Sequence, residues 1–205
     1  MPVNIVIPVK DSRRSKRRLT PVFDRNERAR FARHLYRRTL GFFVDQFPAE
    51  HVSVVTPSRA MAAIATTYGA TVILEPRAAG LSAAAAFAAE WSVEHGFDAQ
   101  LLIPADIAEL SAQEIATLLA TIGDGPSVTV CAATDGGTNA LLTSPPNVIR
   151  FDFGFGSSRR HRLSARRHAI PSRLLRMRNL SRDIDTPADL RGQRIHLQPT
   201  RGAGM

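Results

Sequence analysis

The chain has 205 residues, 44% of them hydrophobic and 22% charged, the balance of one globular α/β domain with a sizeable core. No apolar run approaches the roughly 18 residues that span a bilayer. The formal net charge of +9 implies a polyanionic partner, either a nucleoside triphosphate or a nucleic-acid backbone, with a solvated basic surface as the plain alternative.

In chain order, the apolar, β-branched run over 4–9 predicts a buried first strand. A flexible basic loop follows through Arg18, carrying Arg13, Arg14, Lys16 and Arg17. Asp24 with Glu27 three residues on has the form of a capping box, and Phe31, Leu35, Val44 and Phe47 recur at helical spacing, so a long helix ends near Pro48. Strands are expected over 51–56 and 71–74, separated by a helix over 58–68. Gly80-Leu81 leads into an alanine-rich helix ending near His95. A strand over 99–104 precedes a helix capped by Ser111 and Glu114, then strands over 127–132 and 140–143 flank a glycine turn. Cys131, the single cysteine, excludes an internal disulfide and reads as a buried strand residue.

The basic segment 158–168, with Arg159, Arg160, Arg162, Arg166 and Arg167, predicts a helix, and 174–177 a strand. Thr186-Pro187 has the form of a last helix start, a cap followed by proline at the first helical position. Strands alternating with helices predict an α/β fold with a mostly parallel sheet covered by helices on both faces. Residues 1–192 form one domain in this reading, and 193–205 a disordered tail. The opening Met1-Pro2-Val3-Asn4 lacks the basic-then-apolar layout of a signal peptide, so the expected setting is cytoplasmic, without membrane contact.

Ligands of open α/β sheets bind beyond the carboxyl ends of the strands, and several polar groups fall there. Lys10 and Lys16 follow the first strand, and Asp106 follows the strand over 99–104. Asp183 and Asp185 bracket Ile184; an extended backbone puts both carboxylates on one side. Three carboxylates from distant parts of the chain suit a hard cation that bridges to phosphates. Each group also has an ordinary reading: Asp106 as a turn or cap residue, Asp183 and Asp185 as partners of Arg178 or Arg182, the lysines as a solvated loop. The run Asp135-Gly136-Gly137-Thr138-Asn139-Ala140-Leu141 offers backbone and side-chain donors to a ligand, or a tight hairpin turn. Phe153-Gly154-Phe155-Gly156-Ser157 leads into the basic helix, whose N-terminus suits an anion. His161, one turn in, is either a polar ligand contact or a structural histidine.

The order of these motifs resembles the 2-phospho-L-lactate guanylyltransferase family of coenzyme F420 biosynthesis. The resemblance is carried by Ile7-Pro8-Val9-Lys10 with Lys16 and Leu19, Gly80-Leu81, Ala105-Asp106, Gly-Gly-Thr-Asn-Ala-Leu, Phe153-Gly154-x-Gly156-Ser157 with His161, and Asp183-Ile184-Asp185-Thr186-Pro187 with Asp189-Leu190. It runs from about residue 3 to residue 191. It implies a single-domain nucleotidyltransferase fold, Rossmann-like and GT-A-type, and transfer of GMP from GTP to 2-phospho-L-lactate, phosphoenolpyruvate or 3-phosphoglycerate with release of pyrophosphate.

It further implies Mg2+ held by Asp106, Asp183 and Asp185, with Lys10, Lys16 and Asp106 as catalytic groups. Gly80, Leu81 and Ser82 would contact the nucleotide, and Thr138, Asn139, Gly154, Ser157 and His161 the acid. The partners implied are these two small molecules, with no nucleic acid; a homodimer is left open. The chain departs from the family at Ser82, where asparagine is usual, at Ala108, where proline is usual, and at Ser158, where an aromatic or small residue is common. Two competing readings are a related nucleotidyltransferase acting on a sugar or cofactor phosphate, and a basic nucleic-acid-binding module. The compact anion loop argues against the first, and the 6% aromatic content argues against base stacking in the second.

Overall fold

The computed structural model describes residues 1–191. The expected tail over 193–205 lies outside the described residues. Seven strands form one sheet in the order β3-β2-β1-β4-β6-β5-β7. They are β1 (Val3–Pro8), β2 (Val52–Thr56), β3 (Thr71–Leu74), β4 (Ala99–Leu102), β5 (Ser127–Ala132), β6 (Thr138–Ser144) and β7 (Ser172–Leu175). Only β6 is reversed: it pairs antiparallel with β4 and β5, and the other four pairings are parallel. Six strands therefore end at one edge of the sheet, and β6 begins there.

Five helices connect them: α1 (Arg25–Val44), α2 (Arg59–Thr67), α3 (Leu81–Glu94), α4 (Ala112–Leu119) and α5 (Ser157–Arg167). The period of two along the strands sorts the core into two layers. Ile5, Ile7, Val54, Leu101 and Leu142 face Tyr36, Leu40 and Phe43 of α1, Met61 of α2 and Leu118 of α4. Val6, Val55, Leu102, Val130 and Leu141 face the opposite way, onto α3 and Ala165 of α5. In α3 the contact is made by Ala84, Ala85, Ala88 and Ala89, small side chains that let the helix lie close to the sheet. Each large side chain withdrawn from water contributes about 1.5–3 kcal/mol.

The capping box at α1 is present: the Asp24 carboxylate accepts from the N–H groups of Asn26 and Glu27, and Glu27 accepts from the N–H of Asp24 at 2.8 Å. Cys131 is buried in β5, and desolvation pushes its thiol up to about 11, so it is not a nucleophile at neutral pH. Among the described residues no helix is long and apolar enough to cross a membrane.

The structure differs from the sequence reading in two local elements. No helix opens at Thr186 within the described residues. The Asp189 carboxylate instead accepts from the Thr186 N–H at 2.7 Å, the Thr186 hydroxyl at 2.8 Å and the Asp185 N–H at 3.1 Å, closing a turn. The basic segment after β1 is also not a free loop. Two 3-10 turns, Ser12–Arg14 and Arg17–Leu19, bury Leu19 against Phe31, Leu35 and Ile184. Arg28 and Arg33 of α1 donate to the Ser15 carbonyl at 3.3 Å and the Ser12 hydroxyl at 3.1 Å.

Candidate active site

The edge where the strands end gathers the acidic residues by backbone pairing. After β4 the chain turns through Pro104 and Ala105 to Asp106. Segment 182–184 is laid alongside it: the Ile184 N–H donates to the Asp106 carbonyl at 3.0 Å, the Ala108 N–H to the Arg182 carbonyl at 2.8 Å, and Ile107 bridges Asp183. Ile184 is buried with Leu19 and Phe31; the alternation of extended backbone then turns Asp183 and Asp185 toward Asp106. Carboxylate oxygens of these three residues lie within 4.8 Å of one another.

Neighbouring elements hold this arrangement. Glu114 of α4 accepts from the N–H groups of Asn179 and Leu180, both at 2.9 Å, fixing the chain just before Asp183. Arg38 of α1 donates to the carbonyls of Ile107 and Ala108, and Thr39 to that of Ala105 at 3.1 Å. The sequence marks Glu114 only as a cap of α4 with Ser111, and it marks neither Arg38 nor Thr39. Their signal is only a polar residue on an otherwise apolar helix face.

Lys16 sits at φ 55°, in the left-handed region, and is 7% exposed. Its Nζ donates to Asp106 Oδ2 at 2.5 Å, to the Ile184 carbonyl at 2.5 Å and to Asp185 Oδ1 at 3.3 Å. Burial pulls its pKa down, but Asp106 and Asp185 outweigh that, so the group lies above the ordinary lysine value and stays charged. Arg18 reaches Asp185 Oδ2 at 3.3 Å. Among the described residues no such cation reaches Asp183. Burial, then Asp106, push its carboxyl above the usual carboxylate range, against a weak opposing bond from Asn139 Nδ2 at 3.4 Å. Three acids with all-oxygen donors, one of them partly buried without a counter-charge, fit a hard divalent cation.

Beside the acids opens a cleft of about 390 Å³, lined by Lys10, Lys16, Asp106 and Asp185 and also by Glu75, Gly80 and Leu81. Gly80, at φ 93°, caps α3 without a side-chain bond, leaving the first N–H groups of the helix free. Ser82 stands elsewhere. Its hydroxyl accepts from the Phe153 N–H at 2.9 Å, stapling α3 to the loop before α5.

The residues expected around the acid form a second group. Thr138 opens β6, Ser157 opens α5, and their hydroxyls lie 2.9 Å apart. His161 Nε2 accepts from the Asp152 N–H at 3.0 Å, which assigns the hydrogen to Nδ1, 3.2 Å from the Thr138 hydroxyl. Ser157 and His161 are fully buried. Burial pushes His161 down to about 4, so it is neutral and holds the loop in place. Gly154 is exposed at φ 121°, a conformation that favours glycine. Asn139, next to Thr138, touches Asp183, so the first two residues of β6 link the two groups.

The family model described as "Guanylyl transferase CofC like" matches residues 3–203. The chain belongs to this family. It is similar to a 3-phospho-D-glycerate guanylyltransferase of Colwellia psychrerythraea, 46% identical over 93% of this chain and 90% of the relative. It is 34% identical to a phosphoenolpyruvate guanylyltransferase of Roseiflexus sp., over 93% of this chain and 84% of the relative. Among solved structures, a nucleotide-diphospho-sugar transferase of Desulfovibrio desulfuricans described as putative superposes with a TM-score of 0.64 at 18% identity, covering 92% of this chain and 84% of its own. The fold is therefore the nucleotidyltransferase one expected. For a CofC-like enzyme, an acidic cluster at the strand ends beside a nucleotide-sized cleft is the arrangement that phosphoryl chemistry requires.

Proposed function

We propose that the protein transfers GMP from GTP to a phosphorylated three-carbon acid, with 3-phospho-D-glycerate as the acceptor. The convergence of Asp106, Asp183, Asp185 and Lys16 beside the cleft carries this reading. The 46% identical relative named for 3-phospho-D-glycerate supports the choice of acid.

In this reading a phosphate oxygen of the acid attacks the α-phosphorus of GTP. The bond from that phosphorus to the β-bridging oxygen breaks, and its electron pair leaves with pyrophosphate. The attacking oxygen is already anionic, so no protein nucleophile or general base is required. The residues have instead to align two anions and offset their repulsion. Lys10, exposed in the cleft, and Lys16, held against the carboxylates, supply fixed positive charge. Free N–H groups at the start of α3 receive phosphate oxygens. A magnesium ion held by Asp106, Asp183 and Asp185 supplies further neutralisation at the phosphates when bound. The acid lies against Gly154 and the start of α5, facing Thr138 and Asn139, with the buried Ser157 and His161 holding the Thr138 hydroxyl in place. The product is a guanosine diphosphate-linked acid of the kind used in coenzyme F420 biosynthesis.

The test is pyrophosphate release from GTP and magnesium with 3-phospho-D-glycerate, phosphoenolpyruvate and 2-phospho-L-lactate in turn. Highest kcat/KM with 3-phospho-D-glycerate is expected. Preference for another of the three overturns the acid, and no release with any of them overturns the reaction.

A further inference from the structure

One acidic group in the cleft belongs to neither the acid cluster nor the anion loop. Glu75 directly follows β3 and is only 8% exposed, yet its side chain lines the cleft. Its backbone is fixed, because its N–H donates to the Thr56 carbonyl at the end of β2 at 2.9 Å. Among the described residues no cation pairs with its carboxylate and no protein donor bonds to it. The cleft around it is apolar, walled by Val9, Val55, Pro57, Ala78 and Leu81. Burial accordingly raises its pKa above the ordinary glutamate value. Its carboxylate is therefore left to face the cleft, where water or a ligand can donate to it, and a ligand that displaces the water has to replace those donors or leave the carboxylate unpaired.

Position decides which part of a nucleotide that is. β3 is the outer strand, two places from β1, which leads to Lys10, and three from β4, which leads to Asp106. At roughly 4.8 Å per strand, Glu75 stands about 10 Å from the first and about 14 Å from the second along the sheet edge. The start of α3 lies between, at Gly80 and Leu81. With the triphosphate at the Lys10 and Asp106 end, the base falls at the β3 end. The apolar side chains of the cleft suit a purine ring.

We propose that Glu75 is the base-reading residue, its two carboxylate oxygens accepting from N1–H and the 2-amino group of guanine. This rests on the guanylyl-transfer reading. Guanine alone among the common bases carries two adjacent donors on that edge. Adenine offers an acceptor beside its amino group there, which would face the carboxylate oxygen and be repelled. Discrimination by a buried acceptor pair is steep, because a ligand lacking the donors leaves the carboxylate desolvated and unpaired. Ser82, whose hydroxyl accepts from the Phe153 N–H, is not among the residues that line this cleft.

The test compares GTP with ITP, which lacks only the 2-amino group, and with ATP and 2′-deoxy-GTP, in wild type, Glu75→Gln and Glu75→Ala. Both equilibrium binding by calorimetry and kcat/KM are measured. A charge-assisted hydrogen bond corresponds to roughly tenfold to a hundredfold in affinity, so wild type is expected to favour GTP over ITP by that factor. The ratio should collapse toward one in Glu75→Ala and fall in the shape-conserving Glu75→Gln. The change belongs in the nucleotide KM, with the acid KM held, since the reacting phosphorus is remote from the base. An unchanged GTP to ITP ratio in both variants overturns the assignment. So does equal binding of GTP and ITP by wild type, or a variant effect seen only in the GTP to 2′-deoxy-GTP ratio, which would place the ribose at Glu75. Base-selective binding that depends on Glu75 without any transfer would keep the residue and refute the reaction. Transfer with selectivity independent of Glu75 would do the reverse.

Discussion

Protonation of His161 should unfasten the loop that carries Gly154 and Ser157. The imidazole is fully buried, with Nε2 committed as acceptor to the Asp152 N–H and the Phe153 ring 4.7 Å away in an edge contact. A second proton on the ring would have to go on Nε2 and break that bond, inside a buried site where desolvation outweighs the favourable charge of Asp152 and Arg160 adds to the opposition. The folded pKa is accordingly near 4, below the ordinary 6.5. As pH falls below 6.5 the unfolded chain takes up a proton that the folded one refuses, so the unfolding free energy drops through the window from 6.5 to about 4 and flattens beneath it. At about 1.36 kcal/mol per pH unit, the loss approaches about 3 kcal/mol, a large share of the stability of an ordinary domain.

The assay is urea unfolding at half-unit steps from about pH 7.5 to about pH 3, on wild type and on His161→Gln, whose amide offers a donor and an acceptor but does not titrate. Carboxylates elsewhere titrate in both proteins and cancel in the difference. The difference curve should bend at pH 6.5 and level near pH 4, with the KM for the acid rising in parallel in wild type alone. Parallel pH profiles for the two proteins would refute the account of His161 as a buried neutral brace.

Asp106→Asn and Asp185→Asn should each lower turnover by about a hundredfold or more without unfolding the chain, since the reaction gathers negative charge at one point; magnesium-dependent rates equal to wild type in both would remove the metal assignment. Glu114→Ala strips the acceptor from two backbone N–H groups, at a cost of about 1–3 kcal/mol in stability. Because Asn179 and Leu180 lead into Asp183, kcat should fall as well, and a variant destabilised by denaturant titration but unchanged in kcat would show that the tether is structural only. Ser157→Ala should raise the KM for the acid roughly tenfold and leave that for GTP unaltered. The opposite pattern in steady-state kinetics would assign the loop to the nucleotide.

The elements legible in the chain are those whose causes are local. Asp24 and Glu27 bond within three residues of each other, so the start of α1 is written in four positions. Ile5, Val6 and Ile7 alternate between the two core layers because a strand reverses direction at each residue, and the same alternation puts Asp183 and Asp185 on one side of Ile184. The motif order likewise sufficed to point to the family. What the tertiary structure decided are the contacts between residues far apart in the chain. The reversal of β6 brings Thr138 and Asn139 to the edge where β4 ends, and nothing in the period of a strand specifies which neighbour it takes. Lys16 becomes a buried ammonium rather than a loop cation because Leu19 is drawn into a core that Ile184 completes. Thr186 is claimed by Asp189 before a helix can use it as a cap. Ser82, expected at the nucleotide, is drawn away for the same reason: the Phe153 N–H, 71 residues on, bonds to it, while no protein donor within the described residues reaches Glu75, which the sequence did not single out. Local propensity acts over a few residues, whereas the role of a polar side chain is set by whichever donors, acceptors and apolar surfaces the fold brings within about 3 Å of it.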